Sequence, residues 1–320
     1  MACRTCSIPL QRTITDFAAD TSFGNGAAAK LKEHYGLEVP ATVVRAIAEK
    51  HGEAMALMER RQKSELPERP GVAVLIVETD GSMIPVVKIA EPISGEPPID
   101  RRKTRELEWK EGRLSLVHPP GSVTPVFSAT MGTVDDVGDQ LWRSAIHAGA
   151  GLQTKFHGVG DGASWITNQF DLRFGTQTTY LVDFYHLCEY IAPAAEAVAG
   201  AGKEAWIEEK KSWLKDNRWA DVLTSLQPHL ESEKVSDKDA PVRACYRYIS
   251  NRPDFLDYKS ALAAGLPIGS GEIESAHRYV IQHRLKIAGA WWKTENAEKM
   301  LALRVMRANG DWEKYWAEAA

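Results

Sequence analysis

Apolar positions in the first quarter of the chain repeat with a helical period. Ala27, Leu31 and Tyr35 recur at i, i+4 and i+8 before Gly36 breaks the run. Pro40 opens a second helix whose Val43, Val44 and Ile47 share one face, leaving Arg45 and Lys50 to point outward. Helix, short glycine-containing turn, helix is the shape of a helix-turn-helix, and equally of a plain helical hairpin packed on something else. Leu66-Pro-Glu-Arg-Pro70 reads as a linker. Beyond it the period changes. Residues 72–77 form a continuous apolar run rich in β-branched residues, the pattern of a strand buried on both faces. Residues 83–89 read as its hairpin partner across a Gly-Ser turn, and residues 113–117 as a third strand. Residues 133–148 read as a helix with Val137, Leu141 and Ile146 on its buried stripe; residues 155–159 and 178–182 read as two further strands.

Residues 187–265 carry almost no strand signal, and Trp206, Trp213 and Trp219 sit among charged, helix-favouring neighbours. They read as an all-α insertion with those tryptophans in its core. A helical C-terminus follows from Pro267. Three strands, a helix, a strand, a helix and a strand describe an α/β fold with a mixed sheet. The expected organisation is an N-terminal helical region and linker (1–70), a core (71–186), the all-α insertion (187–266) and the C-terminal helical part of the core (267–320).

The chain has 320 residues, 39 Lys+Arg against 43 Asp+Glu, for a net charge of −4. This excludes a uniformly basic nucleic-acid coat protein and leaves local basic faces open. No run reaches the roughly 18 apolar residues of a membrane helix, and residues 1–24 lack the apolar core of a secretory signal. Cys3, Cys6, Cys188 and Cys245 form no disulfide framework and suit a reducing cytoplasm. Cys3 and Cys6 make one Cys-x-x-Cys. A structural zinc site wants two such pairs, so a stray or vestigial knuckle is the simpler reading.

Three carboxylates stand among small residues that leave room for a bulky ligand: Asp80 in Glu78-Thr-Asp-Gly-Ser82, Asp161 in Gly160-Asp-Gly162, and Glu274 after Gly269-Ser-Gly271. Each has an ordinary explanation: a hairpin turn, a loop, a negative charge near a helix N-terminus. Together they suggest more. Asp80 and Asp161, at the ends of neighbouring strands, would repel unless a cation lay between them, and a hard divalent ion takes oxygen ligands. A third carboxylate from a helix would complete a two-ion phosphoryl-transfer site.

The segments Thr79-Asp-Gly-Ser-Met-Ile-Pro85, Gly160-Asp-Gly-Ala-Ser-Trp-Ile166, Asp183-Phe-Tyr-His186, Pro267-Ile-Gly-Ser-Gly271 with Ile273-Glu-Ser275, and Arg284-Leu-Lys286 through Gly289-Ala-Trp-Trp292 occur in this order, followed by Asn309-Gly-Asp-Trp312. So ordered, they resemble the DDE transposases of bacterial insertion sequences, specifically the Kra-type group. The resemblance runs from about residue 22 to the end. It implies an RNase H-like core interrupted by an α-helical insertion before the last acid. It assigns Asp80, Asp161 and Glu274 as catalytic triad and metal ligands for two Mg²⁺ or Mn²⁺ ions, with Glu272 as competitor for the third place. Asp183 and His186 match an Asp-x-x-His signature with a supporting role. The implied reaction is strand cleavage at transposon ends, then attack of the freed 3′-hydroxyl on target DNA. The implied partners are double-stranded DNA and further copies of the chain on it, with no membrane, in a bacterial cytoplasm at the nucleoid. The alternatives are a helix-turn-helix DNA-binding protein with an inactive core, which the intact acids oppose, and a nuclease that cuts without joining.

Two stretches are locally basic. Residues 275–307 hold seven basic and two acidic residues; residues 101–113 hold six and three. Arg278, Arg284 and Lys286 are therefore expected at DNA phosphates, while Lys293 and Lys299 equally suit a solvated helix face; Arg45 joins them if, as the resemblance implies, the N-terminal helix pair reads the terminal repeat. Adjacent tryptophans on a helix cannot share one core. Of Trp291 and Trp292, one is expected buried and one against a nucleotide.

Overall fold

The computed structural model describes residues 6–89 and 105–319. Three helices come first: α1 (Ile8–Asp20), α2 (Ala29–Tyr35) and α3 (Ala41–Arg60), with a π-helical turn (Phe23–Ala28) leading into α2. Then follow β1 (Val74–Ile89), β2 (Arg105–His118), β3 (Val126–Thr130), α4 (Val134–His147), β4 (Lys155–Gly160), α5 (Ser164–Phe174) and β5 (Thr178–Val182). A helical stretch comprises α6 (Phe184–Ala199), α7 (Lys203–Lys215), α8 (Trp219–Leu226), α9 (Pro241–Ser250) and α10 (Tyr258–Ala263). The chain ends in α11 (Gly271–Ala276), which continues through a π-helical turn (His277–Gln282) into α12 (His283–Leu285), then α13 (Thr294–Ala308) and α14 (Trp312–Ala319).

The fold is α/β, with an open five-stranded mixed sheet in the order β3-β2-β1-β4-β5. β1–β2 and β2–β3 are antiparallel; β1–β4 and β4–β5 are parallel. α4 and α5 cover one face through Leu75, Val77, Phe156 and Phe170. The opposite face carries Ile84, Val86, Leu114 and Leu116 in a core shared with the N-terminal helices and with α11 to α14. The helical stretch has a core of its own, joined to the sheet through Leu181 and Val182. Trp206, Trp213 and Trp219 pack partly buried against it, as expected.

The expected hairpin within residues 72–89 is absent. β1 is one 16-residue strand running straight through Asp80-Gly-Ser82, because β2 is long enough to pair with both halves: Asp80 opposes Leu114, Gly81 Arg113 and Ser82 Gly112. The pattern also missed β3. That short edge strand is completed by the Asn309 side chain, which accepts the Phe127 N–H and donates to the Phe127 carbonyl. α4 begins where read, with Thr133 and Asp136 capping each other's backbone N–H groups. Its stripe runs Val137, Leu141, Ala145, so Ala145 takes the place given to Ile146. In the N-terminal pair Ala27, Leu31, Val44 and Ile47 are buried, but Tyr35 is exposed beyond the end of the packed face. α3 lies along α13, close enough that a Cβ on Gly52 would meet the Lys299 carbonyl. Among the described residues, no helix is long and apolar enough to cross a membrane. Cys3 lies outside the described residues, so the Cys3–Cys6 pairing does too.

Candidate active site

The parallel register pairs Glu78 with Val159. The ladder ends there: Asp80 lies two residues further along β1, and Asp161 directly follows β4. Asp80 is therefore a mid-strand residue, where the sequence had suggested a strand end. Alternation along β1 puts Glu78 and Asp80 on one face, the face that α11 covers. The loop after β4 is held from both sides. Asp161 Oδ1 accepts the Ala163 N–H at 2.8 Å, and its carbonyl accepts the Tyr248 hydroxyl at 2.7 Å. Gly162 has φ +76°, and a Cβ there would meet Arg252 and Val182, so only glycine suits this turn.

Glu274 rides on α11, and the entry to that helix is fastened at four points. Nε2–H of His157 on β4 donates to the Pro267 carbonyl at 2.8 Å, which makes that nitrogen the protonated one; burial lowers this imidazole's pKa. The Phe184 N–H donates to Ile268. Asp183 caps α6 through the Tyr185 and His186 N–H groups, and its second oxygen accepts from both the backbone and the hydroxyl of Ser270. That leaves the Ser270 hydroxyl unable to cap α11, and a residue from the sheet takes over. Glu78 Oε2 accepts the Ile273 N–H at 2.9 Å. Glu78 is 1% exposed, and burial pushes its carboxyl up to about 8. The Ile273 N–H opposes that shift, while Glu272, Asp183 and Glu274 add to it.

The same contacts separate the two glutamates that compete for the third position. Ile273 faces β1. Glu272 leans toward β2, where it lies 3.0 Å from the His118 ring. Glu274 is about 200° further round the helix and exposed, on the side away from β2. One turn on, His277 is 4% exposed, and its Nε2 lies 3.2 Å from Asp80 Oδ2. Neither of its ring nitrogens makes an aligned hydrogen bond. The π-helical turn begins at this residue, and such bulges re-aim side chains. His186 has its ring edge against Tyr248, the residue that holds the Asp161 carbonyl.

All of these donors are oxygens except the imidazoles, which suits a hard cation. Mg²⁺ is commonly bound through one or two carboxylates, the rest of its shell coming from waters and substrate phosphates. The carboxylates of Asp80 and Asp161 are the donor type that such an ion takes. Among the described residues, no group of three or more His, Cys, Asp or Glu side chains is placed to hold a metal ion.

The structure corrects the expected DNA contact at Arg284, and it buries Trp292, one of the tryptophan pair, as expected. Arg284 is 1% exposed: its Nε donates to the Ala18 carbonyl, its guanidinium lies over the Phe23 and Trp292 rings, and burial lowers it to about 10. Trp292 is 5% exposed, and its indole N–H donates to the Leu285 carbonyl. Neither is available to DNA without opening the core. Lys286 is half-buried and donates to the Ser82 hydroxyl. Arg278 is exposed, and Arg45 is exposed with Glu49 3.8 Å away. Trp291 is 37% exposed, its ring edge-on to exposed Trp109 on β2. The C-terminal tract as a whole is less basic than its sequence, since Arg304 and Arg307 pair with Asp20 and Asp16 of α1 and Lys299 with Glu53 of α3. In the other tract, residues 101–104 lie outside the described residues.

Glu78 and His277 were not singled out by the sequence reading. The signal for Glu78 was there: a carboxylate two residues before Asp80, inside an apolar strand, has to share its face. His277 had no such signal.

Residues 153–318, just over half of the chain, match the model of the uncharacterised protein family UPF0236. No curated protein matches the chain.

Proposed function

We propose that this chain, which belongs to the uncharacterised protein family UPF0236, is a DNA transposase with an RNase H-like core. It cleaves strands at transposon ends and joins them to target DNA. One observation supports the reading: β1 and β4 run parallel and adjacent, with Asp80 on β1, Asp161 directly after β4, and the helix that bears Glu274 tied to β1 through Glu78. The strand order β3-β2-β1-β4-β5 with an antiparallel β2 is compatible with such a core, and the helical stretch precedes the last acid as the resemblance requires.

In this reading Asp80 and Asp161 would hold Mg²⁺ or Mn²⁺, with Glu274 as the third ligand from the helix. The bound ions supply electrostatic stabilisation of the charge that builds on the phosphoryl oxygens. The rest falls to the protein. Asp183, His157 and Glu78 fix the position of α11 against the strand ends. His277 bears on Asp80 and limits its rotamers. Tyr248, packed on His186, holds the backbone of Asp161. Glu272, turned to His118, takes no part.

Asp80→Asn, Asp161→Asn and Glu274→Gln are each expected to lower Mg²⁺-dependent cleavage and joining of a transposon-end duplex by at least about a hundredfold. Glu272→Gln should keep its activity, and all four should keep the wild-type circular dichroism. Binding of Mn²⁺, followed by electron paramagnetic resonance, should weaken in the two aspartate variants. Full activity in Asp80→Asn or Asp161→Asn would sink the proposal. Loss in Glu272→Gln with activity retained in Glu274→Gln would move the third position to Glu272.

A further inference from the structure

With the C-terminal tract largely paired, a DNA-binding chain of charge −4 needs its free cations elsewhere. Three exposed cations with no carboxylate partner among the described residues line an open groove of about 720 Å³ between the end of α3, the end of α4 and α14. Arg61, Lys63, Arg143, His147 and Lys314 line it, against one carboxylate, Glu318. Arg143 is held by Glu59 at 3.1 Å. Arg61, Lys63 and Lys314 are exposed, and no acid among the described residues pairs with them. Exposed Lys32, Lys88 and Lys203, by contrast, have carboxylate partners within 3 Å.

The groove is distinct from the candidate active site, none of whose residues line it. α3 leads into β1 and α4 leads into β4, so it lies by the N-terminal ends of the parallel strands. Asp161 follows the C-terminal end of β4. The six residues of β4 separate the two levels by roughly 20 Å.

We infer that this groove is a phosphate-backbone anchor for duplex DNA, remote from the reacting strand; the inference rests on the transposase reading. A concave surface with an excess of one sign concentrates its field. Three unpaired cations there can each displace a counterion from a phosphate, while the acidic pocket repels the same polymer. The anchor contributes affinity and register, with no part in the chemical step.

The test is fluorescence anisotropy of a labelled duplex over a salt series. It compares the wild type, the triple variant Arg61→Ala/Lys63→Ala/Lys314→Ala, and a control with three paired cations removed, Lys32→Ala/Lys88→Ala/Lys203→Ala. Loss of three phosphate contacts should lower the slope of log K against log salt by roughly 3 and weaken binding at low salt at least about tenfold. The control should keep the wild-type slope. In single-turnover cleavage the groove variant should need more DNA for half-maximal rate yet reach the wild-type maximum. An unchanged slope in the groove variant, with the wild type binding duplex normally, overturns the anchor and leaves the transposase reading standing. A loss in the control as large as in the groove variant also overturns it. A wild type that binds no duplex at any salt concentration removes both.

Discussion

His51 shows how a buried polar residue is made tolerable in this molecule. Its Nδ1 accepts from the Tyr315 hydroxyl at 2.7 Å, and its Nε2–H donates to Gln11 Oε1 at 3.0 Å, with the ring packed against Trp316. The pair of partners fits the neutral imidazole, and burial, helped by Lys50, lowers its pKa to about 4. Between that value and the ordinary 6.5 the unfolded chain binds a proton that the folded chain refuses. Stability from this residue is therefore full above pH 6.5 and is lost as pH falls toward 4, at up to about 1.4 kcal/mol per pH unit. Thermal melts of the wild type should show that decline, and His51→Gln should flatten it; an equal decline in both would clear His51 of the effect. Residues differ in how far sequence reveals such environments. Asp80 and Asp161 stood out because their small neighbours are adjacent in the chain. The burial of Arg284 depends on Phe23 and Trp292, and nothing local to Arg284 announced that Phe23 would reach it.

The same distinction holds for elements. The local pattern revealed α4, which buries one stripe, and β4 and β5, whose short apolar runs are buried on both faces. β1 defeated the reading: Asp-Gly-Ser is turn chemistry, and only a partner strand as long as β2 keeps it extended. The placement of α11 depends still more on tertiary structure. Its Ile273 N–H is one of the donors every helix leaves open at its start, and the acceptor comes from a strand nearly 200 residues earlier. Glu78→Gln preserves a neutral acceptor there and should leave stability and metal-dependent cleavage close to wild type. Glu78→Leu removes the acceptor and strands the N–H, at about 1–3 kcal/mol. Its cleavage rate should fall further than the stability loss explains, because Glu274 moves with the helix. Parallel urea melts and cleavage assays would separate the two effects. Equal activity in Gln and Leu variants at a temperature where both are folded would show that this hydrogen bond does not govern the site.

At the scale of the molecule, the N-terminal region that reads as a separable helical unit with a linker shares one core with the C-terminus. α3 touches α13 backbone to backbone at Gly52, and Glu53 pairs with Lys299 beside that contact. Asp16 and Asp20 of α1 meet Arg307 and Arg304 on the same helix, and Arg304 is 8% exposed. The linker signal was sound as local chemistry, since prolines and charges do punctuate helix from strand. It carried no information about whether the helices dock again, which depends on apolar faces 240 residues apart in the chain. Removing residues 1–60 would therefore uncover apolar side chains of α13 and leave Arg304 without its acid. Each large apolar side chain returned to water costs about 1.5–3 kcal/mol, and a domain's whole stability is about 5–15 kcal/mol. The shortened chain is expected to lose its cooperative thermal transition and to bind a hydrophobic dye. The milder Asp20→Ala should still fold, with a loss of about 1–3 kcal/mol from the uncompensated charge at Arg304. A chain starting at residue 61 that melts cooperatively near the wild-type temperature would show that the sheet and its C-terminal helices close a core without the N-terminal helices.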